Sequence, residues 1–316
     1  MNWNLEKCRQ PHDWECVRGI KKLSGGRNIL MEYVRLGKTN AKVSKIGFGG
    51  APAGMKNYLH AFDPTKEEDR EGIIKAIHKA VELGINYFDT APAYGEGQGE
   101  EIFGEALQGV DPGKIFLATK MSVGDKDHVR SSMEASLKRL KRNSIDLIQI
   151  HGTSYSDEEA DFVLKEGGML DEMYRLGEEG LVKFIGFTSE DQNPAVYRFI
   201  RSRRFDMMQT CYNFIFQHPY DPVRKSGSIY EAKRMDMGIA TMRPATSMIF
   251  RKWIEKVNPN SSFDYTTALV QFVLSNPLID VVIIGMRSAK RVVQNIEIYN
   301  NTSGRIDIDE LHHRFV

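Results

Sequence analysis

Short, nearly unbroken apolar runs alternate along this chain with longer stretches whose apolar residues recur every three to four positions. The runs are VSKIGFG (43–49), GINYFDT (84–90), KIFLATK (114–120), IDLIQIH (145–151), VKFIGFTS (182–189), FDMMQTCYN (205–213), GIATMRP (238–244) and IDVVIIG (279–285). They do not alternate apolar with polar, and that is the pattern of parallel strands covered on both faces. Between them, EDREGIIKAIHKAVELG places Ile73, Ile74, Ile77, Ala80 and Val81 on one helical face, and Gly84 stands where a glycine would end the helix. DHVRSSMEASLKRLKR repeats the pattern with Val129, Met133, Leu137 and Leu140, and YTTALVQFVLSNP stops at Asn276-Pro277. The same spacing predicts helices over 97–109, 159–178, 192–203, 226–236 and 288–298.

Eight strand–helix units in series predict an α/β chain folded as a (β/α)8 TIM barrel. The rival is an open, doubly wound Rossmann sheet. GFGGAPAG comes near its glycine fingerprint, but Pro52 stands where the third glycine belongs and no helix is expected to open there. Ahead of the barrel, MEYVRLGKTNAKVSKI reads as a β-hairpin turning over 37–40. Residues 31–316 thus form one barrel domain, and 1–30 an N-terminal extension whose Trp3 and Trp14 either dock on the barrel or belong to a partly mobile segment.

Composition narrows the partners. A formal net charge of +1 with 27% charged residues gives no pull toward nucleic acid or a membrane surface. No apolar run approaches the length of a transmembrane helix, and MNWNLEKCRQPHDWECVRG is not a signal peptide. Cys8, Cys16 and Cys211 offer neither a disulfide framework nor a metal-ligand spacing, so no metal is expected and a reducing cytoplasm fits. Oligomeric state is left open.

Catalytic groups of such barrels sit at the C-terminal ends of the strands. The second run ends in Asp89 and its loop carries Tyr94, the third ends in Lys120, and the fourth in His151. An ammonium near a phenol lowers its pKa, so Lys120 is expected to pull Tyr94 below the usual value near 10. Asp89 would hold Lys120, and His151 would donate to a substrate carbonyl. Singly, each residue reads better as a turn, surface or core residue. Together at one barrel mouth they form a general acid with an oxyanion-type pocket.

NYFDTAPAYG, LATK and LIQIHG, in this order and spacing, resemble the signature of the aldo-keto reductase family over residues 31 to 301. The resemblance implies an NADPH-dependent enzyme, NADH being less favoured, that reversibly reduces a small aldehyde or ketone. It places Asp89, Tyr94, Lys120 and His151 at the family's catalytic positions, with Tyr94 as the acid. GFTSED is similar to the segment holding the nicotinamide carboxamide, giving Thr188 and Ser189 with the family's asparagine absent, and QTCYN keeps Gln209. TMRPATSMIF places Met242 under the nicotinamide and Arg243 beside it, without the family's leucine and glycines. IIGMRSAKRVVQN implies a nucleotide-binding segment with Gly285, Met286, Arg287, Arg291 and Asn295, opening a helix capped by Ser288. Arg291 aligns with the 2′-phosphate arginine. Arg287, Lys290 and Arg291, three cations in five residues, favour NADPH. Gly50 and Ala51 would lie near the nicotinamide ribose, or simply form a tight loop.

A nucleotide-sensing regulatory subunit with slow turnover is the alternative, since potassium-channel β-subunits share this fold and tetrad. Substrate choice is expected from the loops NYLHAFDP, HGTSYSDEEAD and NFIFQHPYDPVRKSGS. Phe214, Phe216 and Tyr220 of the last either line the substrate pocket or pack within the loop.

Overall fold

The computed structural model describes residues 4–7, 17–22 and 28–315. Trp3 and Trp14 lie outside them. Among the described residues twelve strands fall into two sheets. β1 (Asn4–Lys7), β2 (Val17–Lys22), β3 (Asn28–Arg35) and β4 (Lys42–Ser44) form an antiparallel sheet in that order. The expected hairpin is its β3–β4 pair, and two strands within residues 1–30 extend it. β5 (Ile46–Gly49), β6 (Tyr87–Asp89), β7 (Phe116–Met121), β8 (Ile145–Ile150), β9 (Val182–Ser189), β10 (Met207–Cys211), β11 (Gly238–Met242) and β12 (Val281–Gly285) close a parallel barrel, with β12 pairing back to β5. This is the (β/α)8 architecture.

Every residue of β7 and β8 is buried, as the unbroken apolar runs imply. Alternate side chains point inward and fill the barrel's lower half: Tyr87 stacks on Phe116 at 5.2 Å, and Phe116 on Phe184 at 6.1 Å. Leu36 and Val43 of the hairpin join this inner cluster and plug the end opposite the strand C-termini. Gly37 lets the plug sit close: its φ is +48°, and a Cβ there would strike the backbone of Met237 and Gly238. A larger apolar shell lies between strands and helices. Each fully buried Leu, Ile or Phe in it contributes about 1.5–3 kcal/mol.

The helices follow their sequence signals with informative exceptions. Glu67–Glu82 opens on three acids that complement the helix dipole, and Gly84 follows its end at φ +86°. Ser156 and Glu159 form a capping box. The helix expected over 159–178 is two, Asp157–Leu164 and Met169–Glu178, because Lys165-Glu166-Gly167-Gly168 breaks it with Gly167 at φ +67°. The first apolar run also divides: 43–44 belong to the hairpin and the barrel strand starts at Ile46. A single helical turn, Ala51–Gly54, does open after the first barrel strand, contrary to expectation, with Pro52 in its first turn where no amide donor is needed. Helices Ile249–Val257 and Ile308–Phe315 were not anticipated. Among the described residues no helix is long and apolar enough to cross a membrane.

Candidate active site

A cavity of about 870 Å³ opens at the C-terminal ends of the barrel strands, and Asp89, Tyr94, Lys120 and His151 all face it. Lys120 is 1% exposed, so its ammonium must find partners inside the protein. It donates to Asp89 Oδ1 at 2.7 Å, to the Thr90 carbonyl at 2.8 Å and to Tyr94 Oη at 3.3 Å. Three acceptors match its three hydrogens. Because Tyr94 Oη accepts from Lys120, its own proton is left to point into the cavity. The His151 ring stands edge-on to Tyr94, with centroids 5.8 Å apart at 88°.

Burial disfavours charge on Lys120, yet the Asp89 carboxylate and the Tyr94 oxygen outweigh it and hold the ammonium above the ordinary lysine value. Burial pushes the Asp89 carboxyl up while Lys120 opposes that shift. The buried pair is an ammonium–carboxylate pair, since each charge is the other's solvent. Tyr94 departs from expectation. Burial raises its phenol above 10.0 even though Lys120 pulls it down. The phenol therefore holds its proton at neutral pH, as a general acid must. Burial and the Lys120 charge lower His151 to about 4, so its imidazole is neutral.

That shift has a measurable consequence. Between pH 4 and 6.5 the unfolded chain binds a proton at His151 that the folded chain does not. Stability is accordingly expected to fall as pH drops through this window, and His151→Gln to flatten the slope. Thermal melts of both proteins across pH 4–7 check this; parallel slopes would contradict it.

Tyr94 is placed by backbone packing. Gly54, ending the first helical turn, and Gly95, next to the tyrosine, meet without side chains, and a Cβ on either would fall on the other loop's backbone. Gly97 donates to the Pro92 carbonyl at 2.7 Å and Gly99 to the Tyr94 carbonyl at 3.0 Å, which tightens the turn before helix Gln98–Ala106. Gly95 also has φ +71°. Gly95→Ala is expected to cost about 1–2 kcal/mol for the left-handed backbone alone and to shift Tyr94. Urea unfolding would read the first effect, and turnover the second.

The remaining predicted site residues divide. Ala51, Thr188, Gln209, Met242, Arg243, Gly285, Arg287, Arg291 and Asn295 border the cavity. Gly50, Ser189 and Met286 lie behind its wall. Gly50 donates its amide to the Asp89 carbonyl at 2.7 Å. The Ser189 hydroxyl donates to the Asp191 carbonyl at 2.9 Å, and Met286 is fully buried in the outer core. The Thr188 hydroxyl donates to the Gly152 carbonyl at 2.8 Å and accepts from its amide at 3.0 Å, joining β9 to the His151 loop.

Of the three cations, only Arg287 and Arg291 border the cavity, and of those two Arg287 is engaged by other described residues. Arg287 donates to the carbonyls of Pro52, Tyr58 and His60 and lies 4.5 Å over the Phe62 ring, so it ties down the 52–62 loop. Lys290 is exposed and does not border the cavity. Arg291 borders it and makes no side-chain ion pair among the described residues. Ser288 caps the helix Ala289–Asn300 by accepting from the Arg291 amide at 3.3 Å. Asn295 is 3% exposed and its amide nitrogen has no partner among the described residues. An exposed arginine, a capped helix start and an orphaned buried amide along one wall fit the anionic and heterocyclic parts of a dinucleotide.

Sequence reasoning missed Glu190, which borders the cavity and pairs with Arg243 at 2.7 Å. Strand alternation was the available signal, because Glu190 stands two residues after Thr188. Arg251 was missed with its helix. Tyr58, Leu59 and His60 of one anticipated loop and Gly152 and Thr153 of another border the cavity. The third loop does not. Tyr220 is buried, donating to Asp309 Oδ1 at 2.5 Å and stacked on Tyr230 at 5.0 Å. Phe214 packs edge-on to Phe272 at 5.6 Å, beside a separate apolar cavity of about 570 Å³.

Comparison with known proteins bears on this site. The sequence model of the Aldo/keto reductase family matches residues 45–264. An L-galactose dehydrogenase of Arabidopsis thaliana is 31% identical over 166 residues, covering 50% of this chain and 48% of that protein. The probable aldo-keto reductase 1 of Glycine max is 36% identical over 50% of this chain and 45% of its own length. The chain thus spans about half the length of these two curated relatives. An uncharacterized oxidoreductase of Bacillus subtilis, YqkF, is 24% identical over 85% of this chain and 92% of that one. Among solved structures, the holo form of aldo-keto reductase AKR11C1 from Bacillus halodurans superposes with TM-score 0.70 at 20% identity, covering 90% and 95% of the two chains. An aldo-keto reductase from Klebsiella pneumoniae in complex with NADPH gives 0.66 at 19% identity, covering 89% and 93%.

Proposed function

Because the chain belongs to the aldo/keto reductase family, whose members are oxidoreductases, we propose that it reduces an aldehyde or ketone to the alcohol with NADPH, reversibly. The observation that carries this reading is Lys120, buried and saturated by Asp89, Thr90 and Tyr94, so that the Tyr94 proton faces the cavity.

The cofactor supplies the hydride when bound. Tyr94 delivers the proton to the carbonyl oxygen as negative charge grows there. Lys120 then stabilises the phenolate left behind, which it contacts at 3.3 Å, and Asp89 keeps Lys120 charged and fixed. His151, neutral at about pKa 4, donates an N–H to the same oxygen without competing as an acid. Such prearranged donors act strongly where water is excluded. Thr188, Gln209 and Met242 of the cavity lining would hold the nicotinamide, and Arg291 and Asn295 the phosphorylated adenosine. Tyr58, Leu59, His60 and Thr153 are left to shape the substrate side.

NADPH consumption with a panel of aldehydes and ketones tests the reading. Turnover of at least one carbonyl is expected. NADPH binding without any turnover would favour the regulatory, nucleotide-sensing alternative. Arg291→Ala is expected to weaken NADPH by about 1.5–3 kcal/mol, the range of a hydrogen bond to a charged group, and to leave NADH nearly unchanged. Equal weakening of both, by calorimetry, would remove Arg291 from the 2′-phosphate.

A further inference from the structure

The loop 52–62 follows β5 and brings Tyr58, Leu59 and His60 to the cavity wall. Its base is closed by its own residues. The Asn57 amide donates to the Phe62 carbonyl at 2.8 Å, the Phe62 amide to Asn57 Oδ1 at 3.1 Å, and Lys56 pairs with Asp63 at 2.6 Å. Its tip is not closed in this way. No residue from 56 to 61 is buried, so the core does not anchor it. Asn57 and Leu59 take φ of +54° and +67°, the left-handed region that disfavours residues with a Cβ. Backbone held there persists only where its surroundings fix it.

Arg287 supplies the hold on the tip. Each of its three side-chain nitrogens donates to a loop carbonyl: Nε to Pro52 at 2.8 Å, Nη1 to His60 at 3.4 Å, and Nη2 to Tyr58. The guanidinium also covers the Phe62 ring at 4.5 Å. A rigid planar fork can serve several carbonyls at once, and an ammonium on a flexible stem cannot keep the same shape. The approach is fixed at its root as well. Gly285, which ends β12, comes so near Pro52 that a Cβ there would lie 2.5 Å from the proline ring. The tip so held reaches the acid: burial raises the Tyr94 phenol, and Tyr58 lies near enough to act on it in the same direction.

We propose that Arg287 is a positioning residue of the substrate subsite, holding the 52–62 loop so that Tyr58 and Leu59 form the wall against which the carbonyl compound packs beside Tyr94. The inference rests on the reductase reading. It separates Arg287 from Ser288 and Arg291, which follow it in the chain and serve the nucleotide in that reading. One short segment after β12 then serves both ligands, its first side chain turned to the substrate loop and the later ones to the cofactor.

The test compares wild type with Arg287→Met in three measurements: steady-state kinetics with the best carbonyl of the panel, NADPH affinity by calorimetry, and hydrogen exchange followed by mass spectrometry. A displaced wall is expected to lower kcat/KM by about 10–100-fold. The loss should fall mainly on KM, because the wall binds substrate and transition state alike. NADPH affinity should stay within about twofold of wild type, since on this account the Arg287 nitrogens serve the loop and not the cofactor. Exchange should quicken in the peptide covering 55–62 and stay unchanged over 289–300. Weaker NADPH binding, an unchanged KM, or unaltered exchange over 55–62 would each overturn the proposal while leaving the reductase reading intact. If wild type turned over no carbonyl, the substrate role would fall with that reading, and exchange would still show whether Arg287 holds the loop. Should Arg287→Met not fold, Arg287→Lys keeps the charge without the fork, and a smaller rise in KM with the same exchange pattern is expected.

Discussion

Tyr94→Phe is expected to lower carbonyl reduction by about 10²–10⁴-fold, the usual contribution of a positioned general acid, with NADPH affinity unchanged. The phenyl ring keeps its edge-on contact with His151, so the cavity wall survives. What disappears is the hydroxyl that Lys120 contacts at 3.3 Å beside the cavity. The pH dependence should differ with direction. Reduction needs the protonated phenol, and burial holds the phenol above 10.0, so the rate is expected to be flat through neutral pH. Alcohol oxidation needs the phenolate and should climb into the alkaline range. Steady-state kinetics in both directions reads all of this, and wild-type turnover by the variant would show the acid to lie elsewhere.

Lys120→Met carries the largest expected cost in stability. It strands the Asp89 carboxylate, 2% exposed, without the ammonium at 2.7 Å. Breaking a buried pair from one side typically costs about 3–5 kcal/mol. The linkage sign follows. With Lys120 gone, burial drives the Asp89 pKa upward without opposition, and the carboxyl takes up a proton in the folded state. The variant's deficit should then shrink as pH falls, since protonation removes the stranded charge. Adding Asp89→Asn should restore part of the stability and none of the activity, because a neutral pair packs but cannot steady a phenolate. Denaturant unfolding of both variants at two pH values, with turnover alongside, separates these outcomes. A Lys120→Met protein as stable as wild type at neutral pH would mean that the pair is not buried as described.

The barrel was legible because strands covered on both faces write long apolar runs, and β7 and β8 are buried at every position. The same property blurred the first run: Val43 is buried in the plug and Ile46 in the barrel shell, so nothing apolar marks the bend between them. In the stretch 159–178 the apolar spacing carries on across the break, and only Gly167-Gly168 betrays it. Helix Ile249–Val257 escaped because it buries no residue: Ile249, Trp253 and Val257 are all exposed, so its apolar positions mark no core face.

At the site, Asp89, Lys120 and His151 were readable because strand C-termini converge on one mouth whatever the loops do. The cations after β12 were not separable by sequence. Whether Arg287 meets a phosphate or three carbonyls depends on how the 52–62 loop folds back, and that rests on Pro52, Tyr58 and His60 arriving from far away in the chain. The Tyr94 pKa was misjudged for a related reason. Lys120 was visible as a neighbour, whereas the burial that outweighs its charge depends on the whole cavity wall.

The most direct test of the site as a carbonyl reductase centre is label transfer. NADPH deuterated at its transferable position would be incubated with the best carbonyl of the panel, and the product examined by mass spectrometry. The expected result is an alcohol carrying one deuterium on the former carbonyl carbon for each NADPH consumed. NADPH binding with no label in any alcohol across the panel would contradict it.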